Sequence, residues 1–320
     1  MSTHLAEWLR ERRIAFSENA PIAPHLYFRI GGTVSMLVSP ASAEQMAGVL
    51  AELASAPPGA GHEGPLPFVV IGGGSNIAFG DDPTRAAVVL APAPSQVGAR
   101  ILGDGVLQVE SGMRNQPFLA WCAANGAGGL EFLSGIPGTL GGAAAVNAGA
   151  FGRSMSDVLL GADIVDEAGA VRAVDASYFA FRYRDSRFKL GRQTVLALHL
   201  RFDPCEGKSI AKKSRENLEY RLKRHPSYRL ASAGCFFKNP LLNGVKTSAG
   251  KIIEECGLKK TTCGDLAVAE EHANFLLNRG RGSFADLRRL EEKIRECVAA
   301  RTGIVLEREV IYISPRGEKY

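Results

Sequence analysis

The chain has 320 residues, of which 46% are hydrophobic and 22% charged, an ordinary globular composition with enough chain for two or three domains. The formal net charge of +5 suits a small anionic ligand but falls short of the dense basic surface of a nucleic-acid-binding protein. Six scattered cysteines form no Cys-x-x-Cys pair, which argues against a metal site and against a secreted disulfide framework.

The first predicted element is an amphipathic helix within residues 1–22, with Leu5, Trp8 and Leu9 on one stripe. Charged residues occur throughout this segment, so it lacks the apolar centre of a secretory signal. No uncharged apolar run in the chain approaches the roughly 20 residues that a membrane helix needs. We therefore expect a cytoplasmic protein with no membrane segment.

Short β-rich runs alternate with glycine-rich turns between residues 23 and 204. Strands are predicted at 35–38, 68–71, 87–90, 106–109, 164–165 and 194–202, and helices at 42–54 and 115–124. This mixture is typical of α+β folds rather than of a regular βαβ alternation.

A charged segment at 206–229 follows and is the predicted domain boundary. Such a basic run could bind RNA, but Glu216 and Glu219 and the absence of interleaved aromatic residues favour a solvated connecting helix. Beyond it, Ser283 and Asp286 predict a capping box at the start of a helix that ends at Gly303. A final strand is predicted at 304–313.

Two glycine-rich loops are candidate phosphate-binding sites. One is GGGSN at 72–76, directly after the strand at 68–71, and the other is SGIPGTLGG at 134–142. Neither has the Gly-Lys-Ser/Thr ending of a P-loop or the G-x-G-x-x-G spacing of a dinucleotide-binding unit, which argues against kinases and classical dehydrogenases. One such cluster could simply form a tight turn, but two in one domain favour a long, phosphate-bearing cofactor.

Seven segments of the chain resemble those of a known family. The matching segments are FRIGG (28–32), GGGSN (72–76), GLEFLSGIPGTLGGAAAVNAGAFG (129–152), FRYRDSRF (181–188), SAGCFFKNP (232–240), HANFLLN (272–278) and LEREV (306–310). In this order, over residues 20–313, they closely resemble the UDP-N-acetylenolpyruvoylglucosamine reductase family. Seven motifs in the right order make the resemblance specific.

The resemblance implies an FAD-binding domain of the vanillyl-alcohol-oxidase type at 23–204, with subdomains at about 23–92 and 93–204. It also implies a C-terminal α+β substrate-binding domain at 205–315. By the same similarity, FAD is held non-covalently by Gly72, Gly73, Gly74, Ser75, Asn76, Gly135, Ile136, Gly138, Thr139, Asn147 and Gly149. The chain departs from the family at Tyr27, where a threonine is common, so a cofactor contact there is not expected from the motif.

The resemblance further implies that NADPH reduces the flavin, which then reduces UDP-N-acetylglucosamine enolpyruvate for peptidoglycan synthesis. Three roles go to residues that match the family motifs: Arg184 on the substrate carboxylate, Glu309 beside the enol-like intermediate, and Cys235 as proton donor. Cys235 stands where many members of the family have serine. From the residues alone, Arg184 could form a surface salt bridge, and Cys235 could be an ordinary core residue.

Other positions are assigned to the substrate or left open. Lys238 and Asn239 are expected to meet its anionic and amide groups, and Tyr183 to line the same pocket. Strand alternation does not separate Glu309 from Glu307 as the inward acid. His272, the histidine of HANF, could have a structural role or could bind the substrate or the cofactor.

Two other functions remain open from the sequence. A flavin oxidase of the same fold, acting on an alcohol or a lactone, would use the same FAD loops but would not need SAGCFFKNP or LEREV. A regulator that binds flavin without catalysis would hold FAD that NADPH fails to bleach. We expect a monomer.

Overall fold

The structure, a computed structural model, describes residues 3–55, 67–92, 98–103 and 105–320. These residues form the helices α1 (Thr3–Glu11), α2 (Ala43–Ser55), α3 (Asn115–Asn125), α4 (Leu140–Ala145), α5 (Arg187–Leu190), α6 (Gly207–Leu222), α7 (Ala249–Glu255) and α8 (Phe284–Thr302). The strands of the first 175 residues are β1 (Ala15–Pro21), β2 (Thr33–Ser39), β3 (Phe68–Ile71), β4 (Ile77–Phe79), β5 (Thr84–Leu90), β6 (Ala99–Gly103), β7 (Val106–Glu110), β8 (Ala127–Gly128), β9 (Gly149–Ala150), β10 (Arg153–Ser154), β11 (Leu159–Val165) and β12 (Val171–Asp175). The later strands are β13 (Thr194–Arg201), β14 (Asp203–Pro204), β15 (Ala231–Cys235), β16 (Leu241–Leu242), β17 (Val245–Lys246), β18 (Thr262–Cys263), β19 (Leu266–Val268), β20 (Phe275–Asn278) and β21 (Ile311–Ile313).

The chain divides into two compact units, each built from separated stretches. The first unit comprises Met1–Ala20, Ser35–Gly73 and Arg85–Tyr220, and the second comprises Pro21–Val34, Gly74–Thr84 and Arg221–Tyr320. The predicted domain boundaries near residues 22 and 204 stay a prediction.

The first unit contains two sheets with separate apolar cores. The sheet β1-β2-β5-β3 packs its buried residues with those of α1 and α2, including Leu9 and Leu50. The antiparallel sheet β12-β11-β13-β7-β6 shares a core with α3 and α4, in which Phe118 and Leu198 are fully buried. Strand β3 runs parallel to β5 and ends at the GGGSN loop. The first glycines of that loop are therefore carried by a sheet.

The second unit is built around the antiparallel sheet β15-β20-β19-β18, the helices α7 and α8, and the parallel pair β21-β4. Its core includes Phe28 and Ala78 from the early stretches together with Phe236, Leu290 and Tyr312. Strand β15, the loop that follows it and the segment before β21 carry the predicted catalytic motifs of this unit.

Several predicted elements are confirmed. Strand 68–71 is β3, helix 115–124 is α3 to within one residue, and the connecting helix within 206–229 is α6. The capping box of α8 is present, with Ser283 Oγ accepting from Asp286 N at 3.0 Å. The helix ends at Gly303, which has φ +71°, a conformation that glycine adopts without strain.

Two predicted elements are too long. The N-terminal helix ends at Glu11 because Arg13 turns the chain with φ +53°, after which residues 15–21 form β1. The predicted strand 304–313 is a ladder only at 311–313, and the preceding stretch makes a single isolated bridge between Phe237 and Arg308. Alternating side chains indicate an extended backbone but not whether a partner strand lies beside it. Among the described helices, none is long and apolar enough to cross a membrane.

Candidate functional site

The two predicted glycine loops contact each other in the first unit. A Cβ atom on Gly73 would lie 2.5 Å from the Cα of Gly138, and one on Gly72 would collide with Thr139 Oγ1. Only glycine permits so close an approach of two backbones. The structure therefore brings the beginning of the loop at 72–76 against the middle of the loop at 134–142.

Backbone donors gather where these loops meet. Within the described part of the chain, no protein group accepts from the N–H groups of Gly72, Gly73, Gly138 and Thr139. Gly138 and Thr139 are buried, and a buried N–H without a partner is unfavourable. An external acceptor such as a phosphate oxygen would satisfy these donors, so the loops fit the pyrophosphate of FAD.

The start of α3 holds the second loop in place. Asn115 Nδ2 donates to Ile136 O at 3.0 Å, and Gly135 N donates to Gln116 Oε1 at 3.3 Å. The backbone N–H of Asn115 also donates to Gly138 O at 3.1 Å. The role of these two side-chain amides was not predicted from the sequence, although two adjacent amides at the start of a predicted helix indicate such a role.

Arg184 projects from a tight turn whose closing bonds are Arg182 N to Asp185 O at 3.0 Å and Asp185 N to Arg182 O at 3.2 Å. Its own φ is +54°. The guanidinium donates to Gly149 O at 2.5 Å and to Asn147 O at 3.3 Å. The predicted catalytic arginine thus contacts two of the predicted cofactor residues.

Asn147 supports this turn with its side chain. Its Nδ2 donates to Arg182 O at 2.9 Å, and its Oδ1 accepts from Ser156 N at 3.0 Å. Both ends of the amide are therefore bonded to the protein. Tyr183 lies at the tip of the same turn and is exposed, with its ring centre 5.3 Å from the guanidinium carbon of Arg184.

In the second unit, the last residues of GGGSN lie against the LEREV segment. Gly74 has φ +65° and accepts a hydrogen bond from Tyr27 N at 2.9 Å. Asn76 Nδ2 donates to Glu309 O at 3.3 Å, and Ile311 N donates to Asn76 O at 3.1 Å. A predicted FAD residue and the predicted catalytic glutamate are therefore neighbours.

The segment around Glu309 runs antiparallel to the SAGCFFKNP motif at the bridge between Phe237 and Arg308. Glu309 N donates to Phe236 O at 2.8 Å, and Lys238 N donates to Glu307 O at 2.8 Å. The ammonium group of Lys238 forms an ion pair with the Glu307 carboxylate. Asn239 Oδ1 accepts from the N–H of Ala249, the first residue of α7, at 3.0 Å. The backbones of the LEREV and SAGCFFKNP motifs are therefore hydrogen-bonded to each other.

Cys235 is the last residue of β15 and lies opposite Phe275 of β20. It is half-buried and packs against an apolar cluster of Ala269, Phe275 and Leu277. The chain beyond it is held by Asn274, whose amide accepts from Phe237 N at 2.9 Å and donates to Phe237 O at 2.8 Å. This clamp in HANF was also missed, since a buried asparagine there has no periodic signature.

Two histidines flank Phe275. The ring centres of His225 and His272 lie 5.0 and 5.2 Å from that of Phe275 and 5.4 Å from each other. Burial, followed by the charge of Arg221, lowers the pKa of His225 to about 4, and burial also lowers the pKa of His272. His272 Nδ1 accepts from Asn274 N at 3.3 Å, which ties His272 to the clamp on the SAGCFFKNP loop.

Comparison with known proteins gives consistent matches. Residues 34–175 match a family model of an FAD binding domain, and residues 225–313 match the UDP-N-acetylenolpyruvoylglucosamine reductase C-terminal domain. A protein named UDP-N-acetylenolpyruvoylglucosamine reductase from Carboxydothermus hydrogenoformans is 36% identical over 293 residues, covering 92% of each chain. One from Geobacter metallireducens is 34% identical over 300 residues, covering 94% of each.

A solved structure is similar over the same length. The crystal structure of UDP-N-acetylenolpyruvylglucosamine reductase from Thermus caldophilus superimposes with a TM-score of 0.74 at 26% identity, covering 94% of this chain and 98% of that chain.

Proposed function

The chain belongs to the UDP-N-acetylenolpyruvoylglucosamine reductase family, and from that membership we propose that it reduces UDP-N-acetylglucosamine enolpyruvate to UDP-N-acetylmuramate with NADPH. The α+β fold with an FAD-binding domain and a reductase-type C-terminal domain, predicted from the sequence, is confirmed. The product would be a peptidoglycan precursor. We propose that the protein works as a monomer in the cytoplasm.

The observation that carries the proposal is the meeting of the two glycine loops in a chain of this family. Their backbone donors fit a pyrophosphate, and the family reduces its substrate through a flavin. Bound FAD would accept a hydride from NADPH and supply it to the enolpyruvyl double bond. We assign FAD binding to Gly72, Gly73, Gly74, Ser75, Asn76, Gly135, Ile136, Gly138, Thr139, Asn147 and Gly149.

Arg184 is proposed to bind the substrate carboxylate. A guanidinium has five N–H donors, so it can donate to a carboxylate in addition to the carbonyl oxygens of Asn147 and Gly149. Those carbonyls fix the orientation of the cation in advance, which favours a charge-assisted bond of defined geometry.

Cys235 and Glu309 are proposed to act on the carbon that receives the proton. Cys235 would donate the proton, and Glu309 would stabilise the enol-like state that precedes protonation. Their support is the hydrogen bond from Glu309 N to Phe236 O, because it fixes Glu309 beside the residue that follows Cys235.

Lys238, Asn239 and Tyr183 are proposed to bind the rest of the substrate. The Lys238 ammonium is paired with Glu307, so an anionic substrate group would compete with that carboxylate. Asn239 uses its Oδ1 at the start of α7, and its Nδ2 is the atom suited to a substrate oxygen.

Flavin absorbance tests the proposal directly. We expect the purified protein to be yellow and to release its flavin on acid precipitation, since neither glycine loop contains a histidine for covalent attachment. Without oxygen, NADPH should bleach the flavin, and UDP-N-acetylglucosamine enolpyruvate should then restore its colour. Restoration only by oxygen would favour an oxidase, and a flavin that NADPH leaves yellow would favour a non-catalytic regulator.

A further inference from the structure

Arg308 lies in the extended segment that carries Glu309, but it points to the other side. Leu306 and Val310 are buried, and the side chain of Arg308 is 15% exposed, whereas that of Glu307 is 71% exposed. Because side chains alternate along an extended backbone, Arg308 faces the core of the second unit and Glu309 faces away from it. An arginine in such a position needs a partner.

That partner is Glu291 of α8, whose side chain is 3% exposed. Arg308 Nη1 lies 3.5 Å from Glu291 Oε2, and the same oxygen accepts from Tyr312 Oη at 2.7 Å. The guanidinium carbon of Arg308 lies 3.6 Å from the ring centre of Tyr312, and Arg308 Nε donates to Val310 O at 2.9 Å. This buried network joins α8 to the backbone on both sides of Glu309.

A buried ion pair of this kind is weak evidence for stability, because desolvation of the two charges offsets their attraction. The contacts instead fix the orientation of the Arg308 side chain, because a planar guanidinium held between a carboxylate, a ring and a carbonyl has one favourable orientation. Glu309 is bonded through its N–H to Phe236 and through its carbonyl to Asn76. A rotation of the segment would therefore change the position of the Glu309 carboxylate.

We propose that Arg308 and Glu291 are positioning residues that hold Glu309 in its place beside the Cys235–Phe236 segment, an inference that rests on the proposed function. Arg308 lies in the LEREV segment but was given no role of its own, Glu291 lies outside all seven matching segments, and neither residue is expected to touch the substrate. Both act through the backbone of Glu309.

The test is a double-mutant cycle on the second half-reaction. Enzyme first reduced by NADPH without oxygen is mixed with UDP-N-acetylglucosamine enolpyruvate, and the return of flavin absorbance is followed. Arg308→Met keeps the apolar stem of the side chain, and Glu291→Gln keeps its shape. We expect each to slow reoxidation by substrate on the order of 10- to 100-fold, as small displacements of reacting groups do, with reduction by NADPH unchanged.

Glu309→Gln is then combined with each substitution. If Arg308 acts through Glu309, Arg308→Met should slow reoxidation by less than about twofold in the Glu309→Gln background, because effects that pass through one residue are not additive. Thermal unfolding is measured in all variants. A purely structural effect would lower the melting temperature and slow reoxidation equally in both backgrounds.

Arg295→Met is the matched control. Arg295 lies 3.8 Å from the other oxygen of Glu291, but it is on α8 itself and about half exposed, so its loss should leave both half-reactions unchanged. If Arg308→Met does not fold, Arg308→Lys and Glu291→Gln carry the test. Wild-type reoxidation in these variants, or full additivity with Glu309→Gln, overturns the positioning role alone. Failure of the substrate to reoxidise the wild-type enzyme overturns the proposed function and this inference with it.

Discussion

Among single residues, Cys235 is the proposed proton donor, at a position where the resemblance described above implies a serine in many members of the family. A thiol is a stronger acid than an alcohol, and general-acid catalysis typically contributes about 10²- to 10⁴-fold. We expect Cys235→Ala to lower turnover by about that range and Cys235→Ser to keep measurable activity, as measured by NADPH consumption. Full activity in Cys235→Ala would mean that the proton comes from elsewhere and that Cys235 only packs against Phe275.

Arg184 and Glu309 are assigned to the same half-reaction. We expect Arg184→Ala and Glu309→Gln to leave reduction of the flavin by NADPH intact and to slow its reoxidation by substrate, which stopped-flow absorbance separates. Arg187→Ala is the control for Arg184, because its guanidinium comes from the same motif but stacks 4.4 Å from the ring centre of Tyr178. Normal reoxidation in either active-site variant would remove that residue from the mechanism.

His225 gives the chain a predictable pH response. Its pKa falls from 6.5 to about 4 in the folded protein, chiefly through burial and then through Arg221, His272 and Arg224. The unfolded chain therefore takes up a proton first, so this contribution to stability is present above about pH 6.5 and is lost as the pH falls toward about 4. His225→Gln should flatten the melting temperature across that window, with a residual slope from His272, whose pKa is also lowered. An unchanged pH dependence would show that His225 ionises alike in both states.

At the scale of elements, the close contact between the two glycine loops predicts that a side chain added at the contact is not tolerated. Gly73→Ala would place a Cβ 2.5 Å from the Cα of Gly138, and we expect the purified variant to contain much less FAD. Gly48→Ala is the matched control, since its Cβ would meet only Trp8 at 3.7 Å in the middle of α2, where alanine is favoured by about 1 kcal/mol. Flavin content per chain is measured after denaturation. Equal content in the two variants would argue against the loop contact.

The sequence predicted the elements whose signals are local. Strand β3 is a short apolar run before glycines, and α8 has a capping box and a terminal glycine, so both were placed correctly. It did not predict which extended residues pair with a neighbouring strand, so the predicted strand at 304–313 is longer than β21, which comprises Ile311–Ile313. The hydrogen bonds of Asn274 to Phe237 and of Asn115 to the loop at 134–142 join segments that are distant in sequence. A single sequence has no local pattern that indicates such contacts.

At the scale of the whole molecule, the stretches that form the two compact units alternate along the sequence. The core of the second unit contains Phe28, Ile30 and Ala78, which come from two stretches far from residues 221–320. We therefore expect the isolated fragment 221–320 to lack a cooperative thermal transition, which circular dichroism would detect, while the full chain melts cooperatively under the same conditions. A sharp transition in the fragment would show that these early residues are dispensable for its core. The interleaving has no compositional signature, so the sequence could not predict it.

The pairing of β4 with β21 also sets an order of events on the ribosome. Asn76 and Glu309, which flank this pair, are separated by 233 positions, and synthesis at about 5–20 residues per second puts on the order of 10 to 50 s between their appearances. The first unit contains no residue beyond Tyr220, so all of its residues are synthesised before the last 100 residues of the chain. Strand β4 must wait with an open edge, which is a site for pairing with other chains. A ribosome stalled before residue 311 would therefore hold a nascent chain in which that edge is exposed to the cell's chaperones.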